Sequence, residues 1–406
     1  MVYTIRRLET FTGTAESPIE ACSIYDSAVA VSEETPTDTP STQRPRFGRR
    51  PMGVSRRRRN PSTFLKCSSN ELERQLRELI AGQVEELPKP PLGIRRAIIA
   101  VPESIGERRF CMQLGDALTE FGYEWCLCPK EVACMAEKMN VDLFISSWTT
   151  IPPPNPASGI VSMLYIHSPF CISPKSYKYI NAYDNFLFAQ SGTDKLEEYL
   201  HEIGKNFRHL ETYFTLRKTH FCASPKKRIA FVGNLWDSRR RDKLAQLFHL
   251  LDETGYCDFY GPASGWQRKN FKSWKGAIPL HGLRDVQDVM EAAGIALLLH
   301  HRQQFEAGSA VYRDFEALSA SCAIITEKTD FMQKYFGDCV LFIDTNKPAK
   351  EIFEQIDAHM QWILAHPEDA IEMARKAHQI FCDNFSLESE CEKILSFAKS
   401  CAKSSA

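Results

Sequence analysis

The chain has 406 residues, of which 43% are hydrophobic and 25% are charged, and its formal net charge is −1. These values are typical of a soluble globular protein with about two domains and a tail. The sequence excludes a membrane-spanning chain, because no stretch approaches the ~18 uninterrupted apolar residues of a transmembrane helix. The N-terminal stretch has no apolar segment of signal-peptide length, so we expect a cytoplasmic protein.

The fourteen cysteines are scattered through apolar contexts such as FCMQL and SCAII. They form no CxxC pair and no short-chain disulfide pattern. We therefore expect reduced, buried cysteines that behave as small apolar residues, and no zinc site.

Residues 1–62 predict a disordered tail that is rich in Pro, Ser, Thr and Arg and has few residues able to form a core. Residues 1–60 carry ten Arg and seven acidic residues, a net charge of +3, and eight of the arginines fall between Arg44 and Arg59. Such a run is a candidate contact for an anionic partner such as nucleic acid, lipid or an import receptor. A solvated arm without a dedicated partner is the equal alternative.

Residues 63–92 predict a short helix, NELERQLRELIAGQVEEL, and a proline-rich linker, PKPPLG. From residue 93 onward, strand-like and helix-like patterns alternate, beginning with the strand RRAIIAVP and the helix GERRFCMQLGDALTEFG. Apolar strands separated by single helices indicate a parallel sheet that is covered on both faces. We assign residues 93–222 to a first Rossmann-like domain.

The alternation restarts with the strand KKRIAFVGN and continues through IALLLHH, CAIITE and CVLFID. We assign residues 223–382 to a second Rossmann-like domain and predict that the last helix, 383–406, packs back on the first. The predicted fold is α/β, with two parallel-sheet domains that face each other across a cleft. Ligands of such sheets bind beyond the carboxyl ends of the strands, so polar residues there are the candidates for a site.

Gly233 and Asn234 follow the first strand of the second domain, where a glycine lets the backbone approach a bulky anion. The next helix begins at a basic turn that contains Arg239, Arg240, Arg241 and Lys243, and the N-terminus of a helix attracts phosphate. Cations at that end oppose the helix dipole by ~0.3–1 kcal/mol each, which a bound diphosphate would offset. We interpret the segment as a diphosphate site, with a solvated basic turn as the alternative.

Arg313 and Glu316 lie on the first turns of the helix that follows the loop 300–310. A carboxylate there can accept hydrogen bonds from both ribose hydroxyls, and a guanidinium can bind a pyrophosphate oxygen. The alternative is a mutual ion pair at i,i+3, worth about 0.2–0.5 kcal/mol. Gly261 and Gly282 end strand-like segments and are candidates for backbone contact with a nucleobase or sugar, with tight turns as the alternative.

The order of these motifs resembles the nucleotide-sugar-binding half of glycosyltransferases with the GT-B architecture. The likeness covers about residues 226–390 and is nearest to the spore-maturation CgeB-like branch, which is related to the group 1 glycosyltransferases. It implies that Glu316 holds the ribose. It implies that the other donor-binding residues are Gly233, Asn234, Arg239 (or its near alternative Arg241), Gly261, Gly282 and Arg313.

The chain departs from the group 1 pattern in two places. Many relatives place an acid eight residues before the ribose-binding glutamate, where this chain has Gly308. Where relatives commonly have a glycine after the EA segment, this chain reads SAS. Both departures concern the loop that contacts the sugar.

The resemblance implies a glycosyltransferase that moves a sugar from a nucleotide-diphosphate sugar to a hydroxyl of a sugar, glycan or protein acceptor. It implies no fixed metal and no separate cofactor, in line with a sequence that has no DxD motif. His167 and Glu103, each at a strand end of the first domain, are the candidate general bases, although His167 can also be a structural hydrogen-bonding residue. Two other functions are alternatives: a catalytically inactive binding module for a glycan, protein or nucleic acid, and a nucleotide-sugar epimerase.

Overall fold

The computed structural model describes residues 65–101, 105–166, 177–189, 194–223, 227–235, 237–266, 269–280 and 282–404. The predicted tail of residues 1–62 lies outside the described residues, and so do the two predicted bases, Glu103 and His167. In the described segments, no helix is long and apolar enough to cross a membrane. Every cysteine in these segments is a free thiol.

The first domain contains seven strands: β1 (Lys66–Cys67), β2 (Arg95–Ala100), β3 (Tyr123–Cys128), β4 (Leu143–Ser146), β5 (Val161–Ile166), β6 (Asn185–Ala189) and β7 (Arg208–Thr212). They form one sheet in the order β1-β3-β2-β4-β5-β6-β7. All neighbours pair in parallel except β1, which runs antiparallel to β3 at one edge. The carboxyl ends of the parallel strands therefore meet along one side of the domain.

The helices of this domain are α1 (Asn70–Ile80), α2 (Ile105–Glu120), α3 (Lys130–Ala133), α4 (Tyr177–Ile180) and α5 (Asp194–Glu202). Strand β2 is apolar along its length because both faces of the sheet are covered. Ile98 and Ala100 belong to the core that includes the leucines of α1, whereas Ala97 and Ile99 belong to the core that includes α2. Such two-sided burial explains a continuous apolar run in place of an alternating one.

The second domain contains five strands: β8 (Arg228–Val232), β9 (Cys257–Tyr260), β10 (Gly294–Leu298), β11 (Ala323–Glu327) and β12 (Leu341–Ile343). All pairs are parallel, in the order β12-β11-β10-β8-β9. Its helical segments are a π-helix (Arg239–Lys243), α6 (Ala245–Glu253), α7 (Ala263–Trp266), α8 (Asp285–Ala293), α9 (Arg302–Ala307), α10 (Tyr312–Ser319), α11 (Asp330–Phe336) and α12 (Ala349–Ala365).

Two helices follow at the C-terminal end, α13 (Pro367–Asn384) and α14 (Leu387–Ser404), and they pack on different domains. Helix α13 packs against α10 and β11 of the second domain, whereas α14 packs against α2, β5 and β7 of the first. The Leu387 N–H donates to the carbonyl oxygen of Leu216 at 2.7 Å, where the chain re-enters the first domain. The last helix thus joins the two halves.

The sequence patterns did not predict strands β1 and β7, and they predicted a regular helix from residue 238. That segment opens as a π-helix over Arg239–Lys243 before α6 begins at Ala245. Strand β7 has alternating exposed and buried residues at the sheet edge, and β1 has only two residues, so neither shows the apolar run of the central strands.

Candidate functional site

The loops that follow β8 and β9 lie backbone to backbone at the carboxyl edge of the second sheet. The Gly233 N–H donates to the carbonyl oxygen of Tyr260 at 2.9 Å, and the carbonyl oxygen of Gly233 accepts from the indole N–H of Trp266 at 2.9 Å. A Cβ on Gly261 would lie 2.5 Å from Nε1 of Trp266 and closer still to the carbonyl oxygen of Gly233. The two predicted glycines are therefore neighbours, and Gly261 has no room for a side chain.

The side chain of Asn234 is half-buried beside these glycines. Its amide oxygen Oδ1 is shielded from solvent and has no hydrogen-bond donor among the residues that the structure describes. A buried amide oxygen without a donor costs about 1–3 kcal/mol, so this atom is suited to accept a hydrogen bond from a ligand.

The structure turns the predicted diphosphate ligand Arg239 inward. Its guanidinium donates to both carboxylate oxygens of Glu327, to Oγ1 of Thr345 at 2.7 Å and to the carbonyl oxygen of His300 at 2.6 Å. It also lies 4.4 Å from the ring centroid of Phe305. Arg239 is buried and its guanidinium already donates to protein acceptors. In this structure it therefore holds the strand ends together and does not face a ligand.

Arg241 and Lys243 lie on the exposed side of the π-helix. The Arg241 guanidinium pairs with the carboxylate of its neighbour Asp242 at 3.2 Å. The alternative of a solvated basic turn therefore describes these two residues, and the structure does not bring them to the strand ends.

Arg240 belongs to the basic turn of the sequence analysis but was not selected there as a donor-binding residue. Its guanidinium donates to the carbonyl oxygen of Leu299 at 3.1 Å and to that of Asn234 at 3.5 Å, so it lies across the ends of β8 and β10. Burial, helped by the nearby cations Arg313 and Arg239 and opposed by the carboxylates of Asp237 and Glu327, lowers its pKa to about 10. Arg240 is still charged at neutral pH. An anion bound near Arg240 and Arg313 would stabilise both cations.

A buried network lies behind Arg239 and Arg240. The His300 ring is held between the carboxylates of Asp314, 3.0 Å from Nε2, and Glu327, 3.2 Å from Nδ1. Burial opposes protonation of this ring, but the two carboxylates outweigh burial and raise the pKa of His300 to about 9. Burial likewise acts against ionisation of Glu327, but His300 and Arg239 lower its pKa to about 2. His300 is therefore protonated and Glu327 is ionised at neutral pH.

Asp314 connects this network to helix α10. Its second oxygen accepts from the Val311 N–H at 3.0 Å and so caps the first turn of the helix. Arg313 and Glu316 lie on that turn, and the Arg313 guanidinium donates to Oε2 of Glu316 at 2.5 Å. The structure thus shows the mutual ion pair that was the alternative to two separate ligand contacts.

Glu316 also touches the first domain. Its carboxylate is 1% exposed, and Oε1 lies 3.5 Å from Nη1 of Arg109 on α2. Burial raises the pKa of Glu316, and the guanidinium groups of Arg313 and Arg109 oppose that shift. The other guanidinium nitrogen of Arg109, Nη2, donates to the carbonyl oxygen of Leu283 at 2.7 Å, next to Gly282.

Gly282 precedes helix α8 and lies against its first turn. The Gly282 N–H donates to Oδ2 of Asp285 at 2.7 Å, and a Cβ on Gly282 would lie 2.7 Å from Oδ1 of the same carboxylate. The tight turn that was the alternative for Gly282 is therefore present, and the Arg109 contact with Leu283 joins this turn to Glu316.

The second half of the chain is similar to a known protein family. Residues 228–396 match the glycosyl transferase-like family. This segment is similar to glycosyltransferases, and the chain has the GT-B fold. No curated protein sequence matches it.

Two solved structures are similar to this chain. One is a sucrose-phosphate synthase from Thermosynechococcus elongatus, with a TM-score of 0.50 and 12% identity, covering 76% of this chain and 100% of that one. The other is a trehalose-6-phosphate synthase, with a TM-score of 0.53 and 9% identity, covering 75% of this chain and 99% of that one. At such identities the likeness shows the fold, and the family match together with that fold supports an enzyme of the glycosyltransferase class.

The departure at position 308 has a structural reason in this chain. Gly308 ends helix α9 with a φ of 62°, a left-handed conformation that favours glycine. A Cβ there would lie 2.9 Å from Oδ2 of Asp330, and the Gly308 carbonyl accepts from the Phe331 N–H at 3.1 Å. An acidic side chain at this position would need the left-handed backbone conformation and would meet the like charge of Asp330.

Proposed function

We propose that this protein transfers a sugar from a nucleotide-diphosphate sugar to an acceptor hydroxyl, with the donor on the second domain and the acceptor on the first. The observation that carries the proposal is the row of groups along the carboxyl edge of the second sheet. Asn234 offers an amide oxygen without a donor, Arg240 and Arg313 offer two neighbouring cations, and Glu316 offers a buried carboxylate. In parallel α/β sheets, nucleotides bind at this edge.

Each group of the edge suits one part of the donor. The Glu316 carboxylate accepts hydrogen bonds from ribose hydroxyls, and charge-assisted bonds of this kind are about twice as strong as neutral ones. Arg240 and Arg313 bind the diphosphate. The close approach of Gly233 and Gly261 leaves backbone groups at the strand ends for the nucleoside or the sugar.

During transfer, the acceptor oxygen forms a bond to the anomeric carbon of the sugar while the bond from that carbon to the diphosphate breaks. Negative charge then grows on the leaving diphosphate, and the two arginines stabilise it there because they are already in place. The proton of the acceptor hydroxyl goes to a base of the first domain, for which His167 and Glu103 are the candidates. We propose that side-chain cations do this work without a metal ion or a separate cofactor.

The test is release of sugar from a panel of nucleotide-diphosphate sugars, with and without simple sugar acceptors, in buffer containing EDTA. We expect one nucleotide type to be turned over, and we expect EDTA to leave the rate unchanged. Failure to release sugar from any donor would overturn the proposal of an enzyme, and a rate abolished by EDTA and restored by Mg²⁺ would overturn metal independence.

A catalytically inactive binding module is the second candidate, and the structure of the 308 turn favours it. The acid that many group 1 relatives have at this position would be strained here and would crowd Asp330, so this loop differs from theirs. Tight binding of a nucleotide diphosphate together with no donor turnover over hours would favour this candidate over the enzyme.

A further inference from the structure

Helix α2 of the first domain and helix α10 of the second domain touch through two side-chain pairs. Nη1 of Arg109 lies 3.5 Å from Oε1 of Glu316, and Nε2 of Gln113 donates to the hydroxyl of Tyr312 at 3.3 Å. Arg109 and Gln113 are four residues apart on one helix, as are Tyr312 and Glu316 on the other, so each pair of neighbours shares one face of its helix. The two helices therefore meet along one seam, and Arg109 lies at the end of the seam that contains Glu316.

Arg109 is buried without a full set of hydrogen-bond acceptors among the described residues. Its side chain is 8% exposed, and it comes from the first domain into the second. Nη2 has a good acceptor in the carbonyl oxygen of Leu283 at 2.7 Å, whereas Nη1 has only the 3.5 Å contact with Glu316. The Nε–H has no acceptor among the residues described in the structure.

We propose that Arg109 binds the ribose of the donor together with Glu316, which makes it a binding residue that the first domain supplies to the donor site. This inference rests on the proposed function, because it takes Glu316 as the ribose ligand. A ribose hydroxyl donates its hydrogen to Glu316, and the oxygen of the same hydroxyl accepts from the Nε–H or Nη1–H of Arg109. The hydroxyl thus fills the place of the acceptor that Arg109 lacks.

The contacts of Glu316 are compatible with this arrangement. Each carboxylate oxygen has two lone pairs, so Oε2 can keep the 2.5 Å bond from Arg313 while Oε1 accepts from the ribose. The contact between Oε1 and Arg109 is long at 3.5 Å, and a hydroxyl that bonds to both groups would replace it with two shorter bonds. Arg313 then remains the cation that faces the diphosphate.

The consequence is discrimination between ribose and deoxyribose. A nucleotide without the relevant hydroxyl would leave the buried Arg109 and Glu316 with their hydrogen bonds unmade, and sites of this kind reject the analogue strongly. We expect the wild-type protein to bind a nucleoside diphosphate at least ~10-fold more tightly than its 2′-deoxy or its 3′-deoxy analogue. A tenfold difference in the dissociation constant corresponds to about 1.4 kcal/mol.

The experiment is calorimetric titration of the full chain with UDP, GDP and ADP and with their 2′-deoxy and 3′-deoxy analogues. The variants are Arg109→Met, which removes the donors, and Arg109→Lys, which keeps the charge beside Glu316 but loses the planar fork. Tyr312→Phe is the matched control, because it removes the other hydrogen bond of the same seam without touching Glu316. We expect the ratio of deoxy to ribo dissociation constants to fall by at least ~3-fold in Arg109→Met, where Glu316 alone still binds the hydroxyl, to fall less in Arg109→Lys, and to stay at the wild-type value in Tyr312→Phe.

Binding of a nucleoside diphosphate tests the proposed function, whereas discrimination between ribose and deoxyribose tests the role of Arg109. If the wild-type protein binds nucleoside diphosphates but does not distinguish ribose from deoxyribose, the inference is wrong and the proposed function stands. The same holds if both Arg109 variants keep the wild-type ratio. If Arg109→Met does not fold, the ratio in Arg109→Lys decides. If no nucleoside diphosphate binds the wild-type protein, the proposed function fails and the inference fails with it.

Discussion

The carbonyl oxygen of Gly233 lies where a Cβ on Gly261 would have to go. This contact sets the distance between the loops after β8 and β9, and the indole of Trp266 holds it by donating to the same carbonyl oxygen at 2.9 Å. The edge of the sheet that we assign to the donor is therefore fixed by backbone packing as well as by charged side chains.

We predict that Gly261→Ala destabilises the protein by about 1–3 kcal/mol, the usual cost of overpacking a closely packed site. The obstacle is a backbone oxygen and an indole that is buried, so neither can move aside easily. Urea denaturation measures the change. Gly204→Ala is the control, because its Cβ would meet nothing within 4 Å and only its φ of 68° opposes the substitution. Equal losses in the two variants would contradict the close contact at Gly261.

The ion pair between Arg239 and Glu327 predicts a large loss of stability in Glu327→Gln. The substitution leaves the guanidinium of Arg239 and the ring of His300 without their common buried anion, and breaking one partner of a buried pair costs about 3–5 kcal/mol. Glu372→Gln is the control, since Glu372 pairs with Arg375 on the surface and such pairs are worth about 0–1 kcal/mol. Chemical denaturation at pH 7 should separate the two variants clearly; a loss below ~1 kcal/mol in Glu327→Gln would contradict the network.

The protonated His300 predicts that stability falls as the pH rises. Its pKa is about 9 in the folded protein against an ordinary value of 6.5, so the folded state holds a proton that the unfolded state loses between these values. The stabilisation is complete below about pH 6.5 and is lost as the pH rises to about 9. We expect the urea midpoint of the wild-type protein to drop over this range, and the drop to be smaller in His300→Gln, which shares all other titrating groups. Parallel pH profiles would show that His300 is neutral in the fold.

Arg240 and Arg241 provide a matched pair of cations for the diphosphate site. We predict that Arg240→Met weakens the binding of a nucleoside diphosphate by ~10- to 100-fold, because one charge-assisted hydrogen bond contributes about 1.5–3 kcal/mol. Arg241→Met should change it by less than ~3-fold, since this side chain is exposed and paired with Asp242. Calorimetry gives both constants, and the uncharged nucleoside should be insensitive to either change. A reversed order would assign the diphosphate to the exposed face of the π-helix.

The elements that the sequence predicted well are those that a single physical pattern determines. Strands β2 and β8 are apolar on both faces, and the glycines after β8 and β9 follow such strands directly. Local spacing also placed Arg313 and Glu316 on one helical turn. The spacing could not show whether the two side chains bind a ligand or form an ion pair with each other.

The remaining features depend on backbone rotation or on distant contacts. Arg239 and Arg240 are adjacent, and the local π-helical turn determines which of them points inward to Glu327. Arg109 meets Glu316 across 207 positions of the chain, so no local pattern could reveal that contact. A partial signal existed for Glu327, a carboxylate at the end of an apolar strand, but its burial follows only from the packing of the strands around it.

The central claim is that the second domain binds a nucleotide diphosphate through Glu316. Isothermal titration calorimetry with UDP, GDP, ADP, CMP and dTDP and their sugars tests it most directly, on wild-type protein beside Glu316→Gln and the exposed control Glu306→Gln. We predict that one nucleotide type binds the wild type and the control equally, and that Glu316→Gln weakens it by at least ~10-fold. Equal binding by all three proteins, or no binding of any nucleotide by the wild type, would contradict the account.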